Sequence, residues 1–219
     1  MDQGRAVQIA TGSVTEIHDN NDIMFTGIIE TLGTVELIEP KEKNMNIWIS
    51  SSIAHELKID QSVSHNGVCL TVIDIQGEKH CVTAIDETLK KSNLANLQVG
   101  QQVNLERCMP ANGRFDGHIV QGHVDQTGEI ISIQENAGSW VFRIQYEMGS
   151  GNLTVEKGSI TVNGVSLTVF DSQDDAFSLA IIPYTYQHTN FKQLQVGTIV
   201  NLEFDIVGKY IARLIQRRI

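Results

Sequence analysis

Along most of this chain, apolar and polar residues alternate in short runs about ten residues apart, separated by turn signals such as Gly77 and Val99-Gly100. Alternation with period two sends successive side chains to opposite faces of an extended strand. The pattern predicts strands over 34–38, 45–50, 62–65, 68–75, 80–85 and 102–107. A second set is predicted over 128–133, 140–146, 159–162, 165–170, 176–182 and 199–205. Short helical turns fit 56–57 and 92–97. Only 209–219 has helical spacing over several turns, with Tyr210, Ile211, Leu214 and Ile215 on one side and Arg213, Arg217 and Arg218 between them. Such a stripe suits either an oligomerisation helix or a helix folded back on its own barrel.

The two sets of strands are copies of each other. Asn66-Gly67-Val68-Cys69-Leu70-Thr71-Val72 returns as Asn163-Gly164-Val165-Ser166-Leu167-Thr168-Val169, an offset of 97. Val99-Gly100, Thr88, Asn93 and Val103-Asn104-Leu105-Glu106 recur at the same offset. Gly27, Ile29 and Gly33 answer Gly122, Val124 and Gly128 at an offset of 95. A repeat this long is a whole small domain rather than a solenoid unit. The expected fold is all-β: two homologous six-stranded Greek-key barrels in tandem, at 24–116 and 117–208, plus a C-terminal α-helix at 209–219. Residues 1–23 are polar, have no counterpart in the second unit, and read as a leader or flexible extension, with Met24 as the functional start.

Composition narrows the function classes. Of 219 residues, 41% are hydrophobic, enough for two modest cores. A net charge of −10 argues against a nucleic-acid surface, which needs clustered Lys and Arg. No apolar stretch has the length of a membrane span. The three cysteines, Cys69, Cys81 and Cys108, are odd in number and lack metal spacing, so reduced thiols in a cytoplasmic setting are the expectation.

Three groups of residues carry a family resemblance: Met24-Phe25-Thr26-Gly27-Ile28-Ile29-Glu30, the doubled phrase, and Gly117-His118-Ile119-Val120-Gln121-Gly122-His123-Val124-Asp125. Together, in this order, they resemble riboflavin synthase of the α-chain type, over Met24 to the C-terminus. The resemblance implies a homotrimer joined by the C-terminal helix, with lumazine synthase as a candidate partner. It implies a cofactor-free, metal-free dismutation of two 6,7-dimethyl-8-ribityllumazine molecules to riboflavin and 5-amino-6-ribitylaminouracil. The site would lie between the N-terminal barrel of one subunit and the C-terminal barrel of its neighbour. Two copies of one substrate need two similar pockets, which a duplicated barrel supplies.

Carried over motif by motif, the implied substrate contacts are Phe25, Gly27, Ile28, Ile29, Val68, Cys69, Leu70 and Thr71. They continue through Thr83, Ala84, Ile85, Asp86, Glu87 and Thr88, then Gly122, His123 and Val124. Lys157, Val165, Ser166, Leu167 and Thr168 follow, with Ile181, Ile182, Pro183, Tyr184, Thr185 and Tyr186 last. Candidate catalytic residues are His123, Cys69, Ser62, Ser166, Thr168 and Asp205, since the C7 methyl must lose a proton and later steps need an acid or base. In the offset alignment Cys69 faces Ser166, Ile28 faces His123, Asp60 faces Lys157 and Phe25 faces Val120. These differences are where donor and acceptor roles can separate, while the matched letters hold the ring.

Each candidate has a plainer reading. His123 is a proton shuttle or a turn cap; Cys69 is a proton carrier or a small buried apolar residue. Lys157 is a ring or ribityl contact or a surface turn lysine. Phe25 is a stacking platform or core, and the platform is the preferred reading. Ser62, Ser166, Thr71 and Thr168 are ordinary strand residues on the plainer reading. Asp205 orients a proton or caps the last helix. His118 and His123 sit five apart on an extended segment, so a shared metal is not expected. Two other classes compete with the enzyme. A non-catalytic lumazine- or flavin-binding antenna protein tends to lose the doubled motif in one half, and both copies are kept here. A flavin-reductase-like barrel calls for a dinucleotide segment, and no G-x-G-x-x-G follows.

Overall fold

The computed structural model describes residues 24–110, 112–149 and 152–217, and the expected extension over 1–23 lies outside them. The first barrel contains β1 (Thr31–Lys41), β2 (Asn44–Ser50), β3 (Ser62–His65), β4 (Val68–Gln76), β5 (Lys79–Ala84) and β6 (Gln102–Arg107). The second contains β7 (Gln126–Asn136), β8 (Ser139–Tyr146), β9 (Ser159–Val162), β10 (Val165–Phe170), β11 (Ala176–Ile181) and β12 (Ile199–Phe204). Both close as antiparallel barrels in one order, β1-β2-β5-β4-β3-β6 and β7-β8-β11-β10-β9-β12. Closure removes the free edges that an open sheet would expose.

β1 and β7 run longer than the apolar pattern predicts. Each carries a register shift, between Val35 and Leu37 and between Ile130 and Ser132. An extra residue there bends the strand and interrupts its alternation. Two short helices, α1 (Asp86–Lys91) and α2 (Pro183–His188), also escape the pattern. Six residues are too few to display a 3.6-residue period. The last helix, α3 (Ile206–Gln216), starts earlier than expected because the Asp205 carboxylate accepts the Val207 amide at 2.9 Å and caps it.

Each barrel has its own core. Val35, Ile47, Val63, Val82, Leu94 and Leu105 are among the buried residues of the first; Ile130, Phe142, Ile160, Phe177, Phe191 and Leu202 are among those of the second. The doubled Asn-Gly joins them. Asn66 and Gly67 both take positive φ (48° and 80°), as do Asn163 and Gly164 (46° and 81°). That is the signature of a tight two-residue hairpin between β3 and β4, and between β9 and β10. The tips meet: a Cβ added to Gly67 would lie 2.7 Å from the Gly164 amide nitrogen, and the reverse holds too.

Buried carboxamides complete this junction around an internal two-fold. Asn104 Nδ2 donates to the Asn163 carbonyl and Asn201 Nδ2 to the Asn66 carbonyl, both at 2.8 Å. The Asn104 and Asn201 amides donate to the Asn66 and Asn163 side chains, also at 2.8 Å. The first two letters of the doubled phrase therefore hold barrel to barrel.

Candidate active site

The segments preceding each barrel cross over. Ile29 packs against the second core and Val124 against the first. The Ser166 amide donates to the Gly27 carbonyl, and the Cys69 amide to the Gly122 carbonyl, both at 2.8 Å. Between the segments, Phe25 and Val120 exchange backbone hydrogen bonds of 2.8 and 3.1 Å. The approach leaves no room for side chains: a Cβ on Gly27 would lie 2.6 Å from Ser166 Cβ, and one on Gly122 2.6 Å from Cys69 Cβ.

A buried carboxylate anchors each crossing. Glu106 accepts the amides of Thr26 (2.6 Å) and Gly27 (3.0 Å) and the Thr26 hydroxyl (2.9 Å). Glu203 accepts the amides of Gln121, Gly122 and His123 at 2.7, 2.9 and 3.0 Å. Burial pushes Glu106 up to about 7 and raises Glu203, while the amide donors pull each back towards the ionised form.

A cavity of about 250 Å³ opens where Gly122, His123 and Val124 cross the first barrel. Val68 and Cys69 of β4, Glu87, Thr88 and Lys91 of α1, and Ser92 form the rest of its wall. At offsets of 97 and 95, the matching residues of the second barrel are Val165, Ser166, Tyr184, Thr185, His188, Thr189, Gly27, Ile28 and Ile29. The rims differ. Glu87 and Lys91 form an ion pair of 3.5 Å, whereas Tyr184 and His188 stack with ring centroids 4.1 Å apart.

Cys69 and Ser166 are half-buried beside the inward-facing Val68, Leu70 and Val165, and lie against the crossing segments rather than in the cores. Burial raises the Cys69 thiol pKa; a hydrogen bond from Ser62 opposes this and the nearby Glu203 charge adds to it. The thiol is therefore protonated at neutral pH and is no ready nucleophile. Ser166 has a stronger partner in His118, whose Nδ1 lies 2.7 Å from its hydroxyl. His118 Nε2 lies 3.3 Å from the Thr161 hydroxyl. Burial lowers the His118 pKa and the Asp205 charge partly restores it, so the ring is neutral and able to accept a proton. Sequence reasoning weighed His118 only as a metal ligand. The available signal was that isoleucine, at position 23, takes its place in the first unit at the offset of 95.

Other candidates lie where their strands put them. Thr71 and Thr168 are exposed two residues beyond Cys69 and Ser166, on the same outward side. His123 and Ile28 are exposed beside the crossings. Val68, Leu70, Val165, Ala84 and Ile181 are buried hydrophobics, and Leu167 packs against the second core. Thr83 donates to Asn46 at 2.8 Å, the Asp86 amide donates to Asn44 at 3.1 Å, and Ile85 is exposed. Ile182 and Pro183 lead into α2, and Tyr186 stacks on Trp140 at 3.7 Å.

One expectation changes. Phe25 is fully buried, with Gly122 against its ring edge, so it serves as core and presents no face for stacking. Lys157 is exposed in a positive-φ turn, where its backbone amide donates to the Val169 carbonyl at 2.9 Å. Asp205 caps α3, as above. Among the described residues no group of three or more His, Cys, Asp or Glu is arranged to hold a metal, and no helix is long and apolar enough to cross a membrane.

Comparison with known proteins agrees with this geometry. A family described as lumazine binding domain matches twice, at residues 26–108 and 121–205. Riboflavin synthase of Actinobacillus pleuropneumoniae is 42% identical over 196 residues, covering 89% of this chain and 91% of the relative. That of Bacillus subtilis (strain 168) is 41% identical over 195 residues, with the same coverage. The fold is similar to the crystal structure of LumP complexed with 6,7-dimethyl-8-(1'-D-ribityl) lumazine. There the TM-score is 0.75 at 23% identity, covering 82% of this chain and 98% of that one. With two lumazine-binding repeats and relatives of this identity across almost its whole length, the chain belongs to the riboflavin synthase family, transferases of riboflavin biosynthesis.

Proposed function

We propose that the two crossings are the two substrate pockets, each receiving one 6,7-dimethyl-8-ribityllumazine. One molecule gives a four-carbon unit to the other, yielding riboflavin and 5-amino-6-ribitylaminouracil. Atoms balance between two identical substrates and these two products, so no oxidant, reductant or cofactor is required. The observation that carries this reading is the cavity at the first crossing together with the repetition of its wall residues and backbone bonds at the second, each crossing bordered by one version of the doubled phrase. The ligand in the LumP crystal structure supports the substrate class.

In the first pocket, Cys69, Thr88, Gly122, His123 and Val124 surround the ring, with Ser62 behind the thiol. In the second, Gly27, Ile28, Ile29, Ser166, Thr168 and Thr185 do so. The Ser166–His118 pair handles protons there: with Nε2–H donating to Thr161, the Nδ1 lone pair takes the proton of the Ser166 hydroxyl or, through it, of substrate. Cys69, kept neutral, donates or relays a proton. Backbone groups of 83–88 and 181–186 address the polar edge of the ring. Holding both rings in place supplies the main acceleration.

The exposed apolar side of α3, with Val207, Tyr210, Ile211, Leu214 and Ile215, suits a trimer contact. Lys209 fixes the base of the helix by pairing with both Asp125 oxygens, at 2.7 and 2.6 Å. A trimer would set one subunit's first pocket against a neighbour's second.

The test is incubation of the purified protein with the lumazine alone, following absorbance and fluorescence. One riboflavin should appear for every two lumazines consumed. Tight binding without turnover would move the chain to the non-catalytic class.

A further inference from the structure

A second kind of cavity lies on the internal two-fold, apart from the substrate pockets. It has a volume of about 300 Å³, and its twelve lining residues form six pairs at the offset of 97. Eight of the twelve are Asn or Gln, and none is charged. Leu97, Leu194 and Ile199 supply an aliphatic ledge.

The pairs differ in how their carboxamides are used. Asn190 Nδ2 donates to Asn66 at 3.1 Å, and its Oδ1 accepts from Asn104 at 3.0 Å. Its mate Asn93 donates to Asn163 and to the Ile199 carbonyl at 3.2 and 3.1 Å, but its Oδ1 is buried without a donor. Such an acceptor is unfavourable unless something donates to it. One water would satisfy it, yet the cavity has the volume of about ten. Across the two-fold, Gln193 Nε2 donates to Gln102 Oε1 at 2.7 Å. This spends one end of each amide and leaves the Gln102 amino group and the Gln193 carbonyl for a ligand. The mate of Gln102 is Ile199, so the opposite side offers no equivalent bridge.

We propose that this cavity binds one neutral polyol per chain, through the Asn93 carbonyl and the Gln102–Gln193 pair. Hydroxyl groups both donate and accept, as carboxamides do. The aliphatic ledge takes the carbon chain, and the lack of cationic side chains disfavours a phosphorylated sugar.

Equilibrium dialysis with radiolabelled ribitol tests this, with both substrate pockets first saturated with riboflavin. One equivalent of ribitol per chain is expected, with ribose 5-phosphate bound far more weakly. Gln102→Ile copies the residue already present at the mate position. It should weaken ribitol binding about tenfold, the loss of one good hydrogen bond, and leave riboflavin formation unchanged. Asn93→Leu, with folding checked by circular dichroism, should abolish binding. No retained ribitol, binding displaced by riboflavin, binding indifferent to Gln102→Ile, or equal binding of ribose 5-phosphate would each overturn the proposal.

Discussion

The Cys69 amide donates to the Gly122 carbonyl at 2.8 Å, although the two residues come from different copies of the repeat. Ser166 and Gly27 repeat that bond at the same length. Neither barrel completes a pocket alone, because each borrows a wall from the segment that precedes the other. The repeat thus makes two crossings that share a plan and differ in a few side chains.

The sharpest difference is Cys69 against Ser166. Burial raises the Cys69 pKa, which keeps the thiol out of its nucleophilic form. Cys69→Ser should therefore leave turnover within about tenfold of the parent chain, since a hydroxyl can still relay a proton. Iodoacetamide should alkylate Cys69 more slowly at neutral pH than a free cysteine. Complete loss of turnover in the serine variant would point to chemistry at sulfur instead.

His118 should matter more. Its imidazole is neutral and 2.7 Å from the Ser166 hydroxyl. His118→Gln should lower turnover by roughly 10² to 10⁴, the usual contribution of a general base, with ligand affinity at the first pocket unchanged. Turnover should fall on the acid side as the imidazole protonates, at a pH below that of an ordinary histidine. A variant with full turnover and an unaltered pH profile would remove His118 from the proton path.

A second histidine pair predicts acid sensitivity. His65 and His80 are buried in the first barrel, Nε2 to Nε2 at 2.8 Å, where the second barrel has Val162 and Phe177. Burial holds His65 well below its ordinary value and lowers His80 to about 4. Both are neutral in the fold but take protons more readily when unfolded. Their contribution is intact above about pH 6.5 and is lost as pH falls towards 4, by up to about 3 kcal/mol for His80. Glu106 works the other way, its raised pKa favouring the fold at lower pH. The histidine effect is therefore read as a difference: His65→Val with His80→Phe should flatten the fall in urea midpoint between pH 6.5 and 4. An unchanged slope would contradict it.

Much of this was legible in the sequence. Strands such as 62–65, 102–107 and 159–162 follow from alternation because Val63, Val103, Leu105, Ile160 and Val162 fill a core, although the polar residues between them, Asn104 and Glu106 among them, are buried as well. The repeat identified the paired positions, including Gly27 with Gly122. Which barrel each crossing segment lies against was hidden, because an offset relates equivalent residues and says nothing about contact. Phe25 shows the cost: beside the glycine turn it read as a stacking surface, while the crossing buries it. The Asn-Gly turns repeat in the sequence, but that their positive φ serves hairpins joining the barrels became visible only in the fold. His118 was illegible as a base because its partner Ser166 is 48 residues away and meets it only after the barrel closes.

The decisive measurement is ligand stoichiometry against turnover in single-pocket variants. The parent chain should bind two lumazine-type ligands. Gly122→Ala, which forces a Cβ onto Cys69, and Gly27→Ala, which forces one onto Ser166, should each bind one ligand and lose turnover by more than about a hundredfold, with circular dichroism checking that the strained crossing leaves both barrels folded. One site in the parent chain, or full turnover in a variant that binds a single ligand, would show that the two crossings are not a pair of cooperating substrate pockets.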